Sequence, residues 1–134
     1  MAIKELEQVY DEKFRPLNLE FKRIATEWQM EKSPSGEPVL NDHADADYDT
    51  KVIGSLLGLH GRVMKLSEEL MPLHTEARGY LQRLEEAIKK INAGDRRYVT
   101  GVTVDSYHTG WYEFHYDLLK KLGREEEKLS EDEV

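Results

Sequence analysis

The stretch TKVIGSLLGLHGRVMKL at residues 50–66 decides the fold of this chain. Its aliphatic residues recur at intervals of four and three, which is the spacing of one stripe along an α-helix. The members of this stripe are Val52, Leu56, Leu59, Val63 and Leu66. The opposite side of the same helix is also apolar, and two apolar sides are typical of a buried helix. The sequence therefore predicts a central helix at about 50–70.

Three glycines follow their own spacing of four and three on that opposite side. A glycine inside a helix costs about 1 kcal/mol relative to alanine, so three cost roughly 3 kcal/mol. We interpret them as the site where another helix backbone approaches closely. The alternatives are close approach of a ligand and a helix that frays near its last glycine. The residues expected at this packing interface are Gly54, Leu57, Gly58, Gly61, Trp28 and Phe114.

Further apolar periodicity predicts helices on both sides of this stretch. Residues 1–30 read as a helix with a break or kink near 15–18, because Pro16 removes a backbone donor. A break at 71–75, beside Pro72, separates the central helix from one at 75–92. Residues 95–104 are β-branched and predict an extended connection, and a last helix covers 105–122. The fold class predicted is all-α, a four- or five-helix bundle with the glycine-rich helix in the middle.

The acidic residues divide the chain into a folded body and two polar segments. Residues 31–49 contain two prolines and five acidic side chains besides Glu31, so they predict a flexible acidic linker, within which Asp47 or Asp49 caps the next helix. Residues 124–134 form a charge block and predict a disordered acidic tail. The interpretation is a single helical domain at 1–123 followed by that tail.

Composition argues against several classes of function. The chain has no cysteine, which excludes a disulfide scaffold and a thiolate metal site and makes the cytoplasm the default location. No apolar run is long enough to span a bilayer, so no membrane partner is expected. Basic residues form no concentrated stripe, so nucleic-acid binding is not expected either.

The acidic linker has the spacing of the start of a calcium loop, in Asp45, Asp47 and Asp49. Thr50 stands where that loop needs glycine, and Leu56 stands where it needs a bidentate glutamate. The chain also lacks the Glu-x-x-His pairs of a di-iron bundle. We therefore interpret the linker as solvated and expect neither a metal nor a cofactor.

The stretch YHTGWYEFHY at 107–116 has the most unusual composition, with five aromatic residues and two histidines. It suggests a ligand pocket between helices 50–70 and 105–122, in which imidazoles serve acid–base work or anion binding. The pocket residues of this hypothesis are His60, Tyr107, His108, Trp111, Tyr112 and His115. The competing interpretation, which we favour, is structural, because buried tyrosines and tryptophans need polar partners and histidines supply them.

Two functions follow from these patterns. The leading one is a small helical interaction or regulatory protein acting as a homodimer, or with another protein. Its amphipathic helices offer more apolar surface than about 100 ordered residues bury alone. The alternative is a small helical enzyme or ligand-binding domain that uses the aromatic pocket, with segment 31–49 as a lid. A catalytic function is not favoured, because no serine lies in a recognisable nucleophile motif.

Overall fold

The computed structural model describes residues 2–127, and this part of the chain is all-α, as predicted. It contains six α-helices, one π-helical turn and a two-stranded hairpin. In chain order these are α1 (Ala2–Val9), the π-turn (Tyr10–Phe14), α2 (Arg15–Gln29), β1 (Met30–Lys32), β2 (Pro38–Leu40), α3 (Ala46–Leu73), α4 (Ala77–Asn92), α5 (Arg97–Thr100) and α6 (Tyr107–Leu122).

Pro16 does not break the first helix, which runs from α1 through the π-turn into α2. The turn before Pro16 is wider than an α-helical turn, and the Arg15 N–H donates to the carbonyl of Tyr10. A wider turn relieves the clash that a proline ring makes with the preceding turn. The interruption predicted at 15–18 is therefore a π-turn at 10–14, and it carries the buried rings of Tyr10 and Phe14.

Helix α3 begins earlier than predicted, at Ala46. The Asp45 carboxylate caps it by accepting from the N–H groups of Asp47 and Tyr48, both at 3.1 Å. Asp47 and Asp49, the predicted caps, lie inside the first turn instead. The helix ends at Leu73, which confirms the break predicted between 71 and 75.

The segment 31–49 is not a featureless linker. Strands β1 and β2 pair antiparallel, with Met30 opposite Leu40. The intervening turn is closed by the Ser33 N–H, which donates to the Glu37 carbonyl at 2.8 Å, and contains Gly36 at a φ of 89°. Proline, serine and glycine in this turn suit a tight reversal, which the linker interpretation overlooked.

Residues 95–104 also differ from prediction, because α5 replaces the expected extended connection. The Asp95 carboxylate accepts from the backbone N–H of Arg97 at 3.2 Å and from its guanidinium, which starts the turn. Val99 is buried, and the burial of its side chain outweighs the preference of β-branched residues for extended backbone. Of the tail predicted to be disordered, residues 128–134 lie outside the described part, whereas Arg124 pairs with Asp11 at 3.0 Å.

The core lies between four long helical segments. Helix α3 packs against α1, α2 and α4, and α4 packs against α6. The aliphatic stripe of α3 is buried as predicted, from Val52 to Leu66. The opposite side of α3 is exposed, so the other described elements cover only one of its two apolar sides. In the described part of the chain, no helix combines the length and hydropathy needed to cross a membrane.

Candidate functional site

The exposed side of α3 carries three glycines and one leucine, which we call the glycine face: Gly54, Leu57, Gly58 and Gly61. At its edge, Arg62 Nε lies 3.4 Å from the Gly58 carbonyl oxygen. The Leu57 side chain is 36% exposed. A Cβ atom added at any of the three glycines would meet no atom within 4 Å. The close helix approach that the sequence predicted for these glycines therefore does not occur among the residues that the structure describes.

The two aromatic residues predicted to pack around these glycines lie in the core instead. Trp28 is buried under the His43 ring, with ring centres 4.5 Å apart. Phe114 packs edge-on against Phe14 at 5.4 Å and stacks on Tyr80 at 5.5 Å. The glycine face thus has no aromatic partner from these two positions.

Among the six predicted pocket residues, the structure joins His60 to Tyr107. The Tyr107 hydroxyl lies 3.0 Å from His60 Nδ1, and His60 Nε2 lies 2.7 Å from a Glu85 carboxylate oxygen. Because the carboxylate can only accept, His60 donates to it from Nε2, and in the neutral imidazole Nδ1 accepts a hydrogen bond from the Tyr107 hydroxyl. This chain of hydrogen bonds connects α6, α3 and α4.

The Tyr107 side of this hydrogen-bonded chain is sealed from solvent. Tyr107 is fully buried, and that burial, with a smaller contribution from the Glu85 charge, raises the pKa of its hydroxyl far above the usual range. The hydroxyl therefore stays protonated at every physiological pH. It serves as a hydrogen-bond donor between helices, and its proton is not available for acid–base work near neutral pH.

His115 and Trp111 have different partners, and both lie in the interior. His115 Nε2 lies 2.6 Å from the Tyr10 hydroxyl of the π-turn. The Trp111 indole N–H donates to the Asn18 side-chain oxygen at 2.9 Å, and its ring stacks on Phe14 at 5.0 Å. Trp111 is only 2% exposed. A ligand would reach these groups only if the helices separated.

The last two predicted pocket residues point elsewhere on α6. The His108 ring lies 5.8 Å from the Phe21 ring at the edge of the core. Tyr112 is half-exposed and lines a groove between α6 and α4. The six residues therefore do not share one pocket, since they divide between three buried hydrogen-bonded pairs, the core edge and an outer groove.

Sequence reasoning missed a polar cluster at the base of the hairpin. Asp49, only 1% exposed, accepts from Asn41 Nδ2 at 3.0 Å and lies 2.9 Å from His43 Nδ1. Asn41 Nδ2 also donates to the Trp28 carbonyl at 2.9 Å. His43 adopts a left-handed φ of 60°, which costs about 1 kcal/mol for a residue with a Cβ. The cluster ties the hairpin to α3.

The sequence carried one signal for this cluster, an asparagine and a histidine just before a helix start. Asparagine side chains bond to the backbone in turns, and the Asn41 side-chain oxygen accepts from the His43 N–H at 2.9 Å. Arg96 Nη1, 3.6 Å from the Asp49 carboxylate, comes from a distant segment that no local pattern predicts. Among residues 2–127, no group of three or more acidic or histidine side chains is placed to hold a metal ion.

No protein-family model, no curated protein and no solved structure matches this chain. Its function is therefore argued from its own geometry. The feature that the fold itself leaves unexplained is the glycine face, because three costly residues stand in a long helix and no atom of residues 2–127 fills the space of their missing side chains.

Proposed function

We propose that this chain is a small helical interaction protein, a bundle of four long helices that acts as a homodimer through the glycine face. One observation carries the proposal. Gly54, Gly58 and Gly61 surround the exposed Leu57, and open space lies above each of the three. The cost of roughly 3 kcal/mol in helix stability is offset if a second helix approaches there.

The spacing of the face fits a copy of itself in antiparallel orientation. If a two-fold axis passes between residues 57 and 58, Leu57 of one chain lies against Gly58 of the other. The same register sets Gly54 against Gly61. Each leucine then fills a space that the second chain leaves open, which is the self-complementarity that a two-fold interface requires.

The two lysines at the ends of the face agree with this register. Lys51, which is exposed, falls against the half-buried Met64 of the second copy, so its aliphatic stem covers an apolar side chain. Lys65 falls against Thr50. The same register sets Asp47 against Glu68, so like charges face each other only at the outer ends of the two helices. A parallel arrangement would oppose every lysine and every carboxylate of the face to its own copy.

The test is molar mass in solution, measured by light scattering over a range of concentrations. We expect the wild-type chain to form dimers and Gly58→Leu to remain a folded monomer, because the new side chain fits the open space of one chain and blocks the second. Gly79→Leu is the matched control, since Gly79 on α4 is also exposed with no atom within 4 Å of an added Cβ. Dimers of undiminished stability in Gly58→Leu would refute the proposal.

A further inference from the structure

A groove of about 360 Å³ lies between α4 and α6, where the helical structure places three tyrosines together. Two of them, one turn apart on α6, are 41% and 40% exposed. The lining residues are Tyr80, Tyr112, Glu113, Tyr116, Asp117 and Lys120. Tyrosine faces carry a negative quadrupole and attract positive charge. The Tyr80 ring stacks on Phe114 and has the Arg83 guanidinium 5.8 Å from its centre, so Tyr112 and Tyr116 supply the aromatic surface of the groove.

The carboxylates of the groove are held in place by groups outside it. Asp117 Oδ2 lies 2.6 Å from His74 Nε2, and Glu113 Oε1 accepts from Arg83 at 2.8 Å. Because these anchors fix the carboxylates, the negative charge is positioned before any ligand arrives. Arg83 is shared between two carboxylates, because its other nitrogens donate to Asp105 at 2.7 and 3.0 Å.

The surroundings of Tyr80 are correspondingly acidic. Burial raises the pKa of the Tyr80 hydroxyl, and the charges of Asp117, Glu113 and Glu76 raise it further, whereas only Arg83 acts in the other direction. Lys120 stands at the same groove and is exposed, so its long side chain can extend into solvent. The lining of the groove therefore combines tyrosine side chains with two carboxylates and one ammonium group.

We propose that this groove binds a small free organic cation of the quaternary ammonium class. Such a cation has no N–H group, sheds water easily and gains from aromatic faces and from carboxylates a few ångströms away. An anionic ligand would meet Glu113 and Asp117. A choline group that carries a phosphate, as in a lipid headgroup, would bring that repulsion with it, which favours the free cation.

The probe is choline, and its uncharged carbon isostere, 3,3-dimethylbutan-1-ol, is the matched control ligand. Both are titrated into the full chain at constant ionic strength while backbone amide shifts are followed by NMR. We expect saturable shifts confined to the groove with choline and at least tenfold weaker binding of the isostere. Equal binding of the two, or no saturable shifts at the groove, would overturn the proposal, as would tighter binding of phosphocholine than of choline.

Two variants locate the binding. Tyr116→Leu keeps an apolar side chain but removes the aromatic face, and we expect it to weaken choline binding roughly fivefold. Glu113→Gln keeps the side-chain shape and removes one charge, with a similar expected loss. Circular dichroism and melting confirm that both variants fold. Unchanged choline affinity in both folded variants would contradict the assignment of the groove.

Discussion

Replacing all three glycines of the glycine face by alanine should stabilise the single chain while weakening its self-association. Inside one chain, an added methyl group at each position meets no atom within 4 Å. The substitution therefore removes the conformational cost of glycine and introduces no clash. At up to about 1 kcal/mol for each residue, the free energy of unfolding should rise by roughly 2–3 kcal/mol.

The assay is urea unfolding at a protein concentration at which the chain is monomeric, followed by circular dichroism. For a chain of this length, a gain of that size corresponds to a rise in melting temperature of roughly 10 °C. Gly79→Ala is the control, because it measures the stability gained when a single exposed glycine of α4 is replaced. At high concentration, light scattering should find less dimer in the triple variant than in the wild type, because the methyl groups hold the two α3 helices apart.

A triple variant that is less stable than the wild type under monomeric conditions would refute this reasoning. It would mean that the three positions are filled within one chain. A more stable variant that also associates more tightly would show that the glycines are not kept for close approach. Stability lost for the sake of a binding surface is a common compromise in natural proteins.

Three other predictions concern two buried hydrogen-bonded side chains and the loss of stability at acid pH. Tyr107→Phe leaves His60 Nδ1 without its donor and should cost about 1–2 kcal/mol in urea unfolding. Asn41→Ala removes two buried hydrogen bonds and should raise hydrogen exchange through residues 30–43, with helix α4 unchanged. The hydrogen bond from Arg62 holds the pKa of Glu20 below its ordinary value of 4.5, so its stabilisation is present above about pH 4.5 and is lost as pH falls through the lowered pKa. Glu20→Gln should flatten that part of the pH–stability curve.

The sequence was most informative where one helix face meets the core. The aliphatic stripe of α3 and the helix at 105–122 follow directly from apolar spacing, and in the structure Ser106 caps α6. The hairpin and α5 were missed because each depends on contacts that local propensity does not contain. Short strands of three residues have too little periodicity to recognise, and α5 depends on burying Val99.

The candidate site was only partly predictable for a related reason. Spacing identified the glycine face, but it could not determine whether another helix of the same chain covers it. The pocket hypothesis grouped His60, Tyr107 and His115, of which the structure joins the first two. Spacing could not place His115 beside Tyr10, because that contact depends on the π-turn. Which side chains meet across a bundle is decided by how its helices rotate against each other, and small local irregularities set that rotation.

Oxidative cross-linking through single introduced cysteines tests the antiparallel dimer most directly, since the chain has no cysteine of its own. With the two-fold axis between residues 57 and 58, the two copies of a cysteine at Leu57→Cys lie within disulfide distance. The copies at Lys51→Cys lie about 20 Å apart along the helix axis. For the antiparallel dimer, we expect a linked dimer from Leu57→Cys and single chains from Lys51→Cys. Equal cross-linking of both, or of neither, would contradict it.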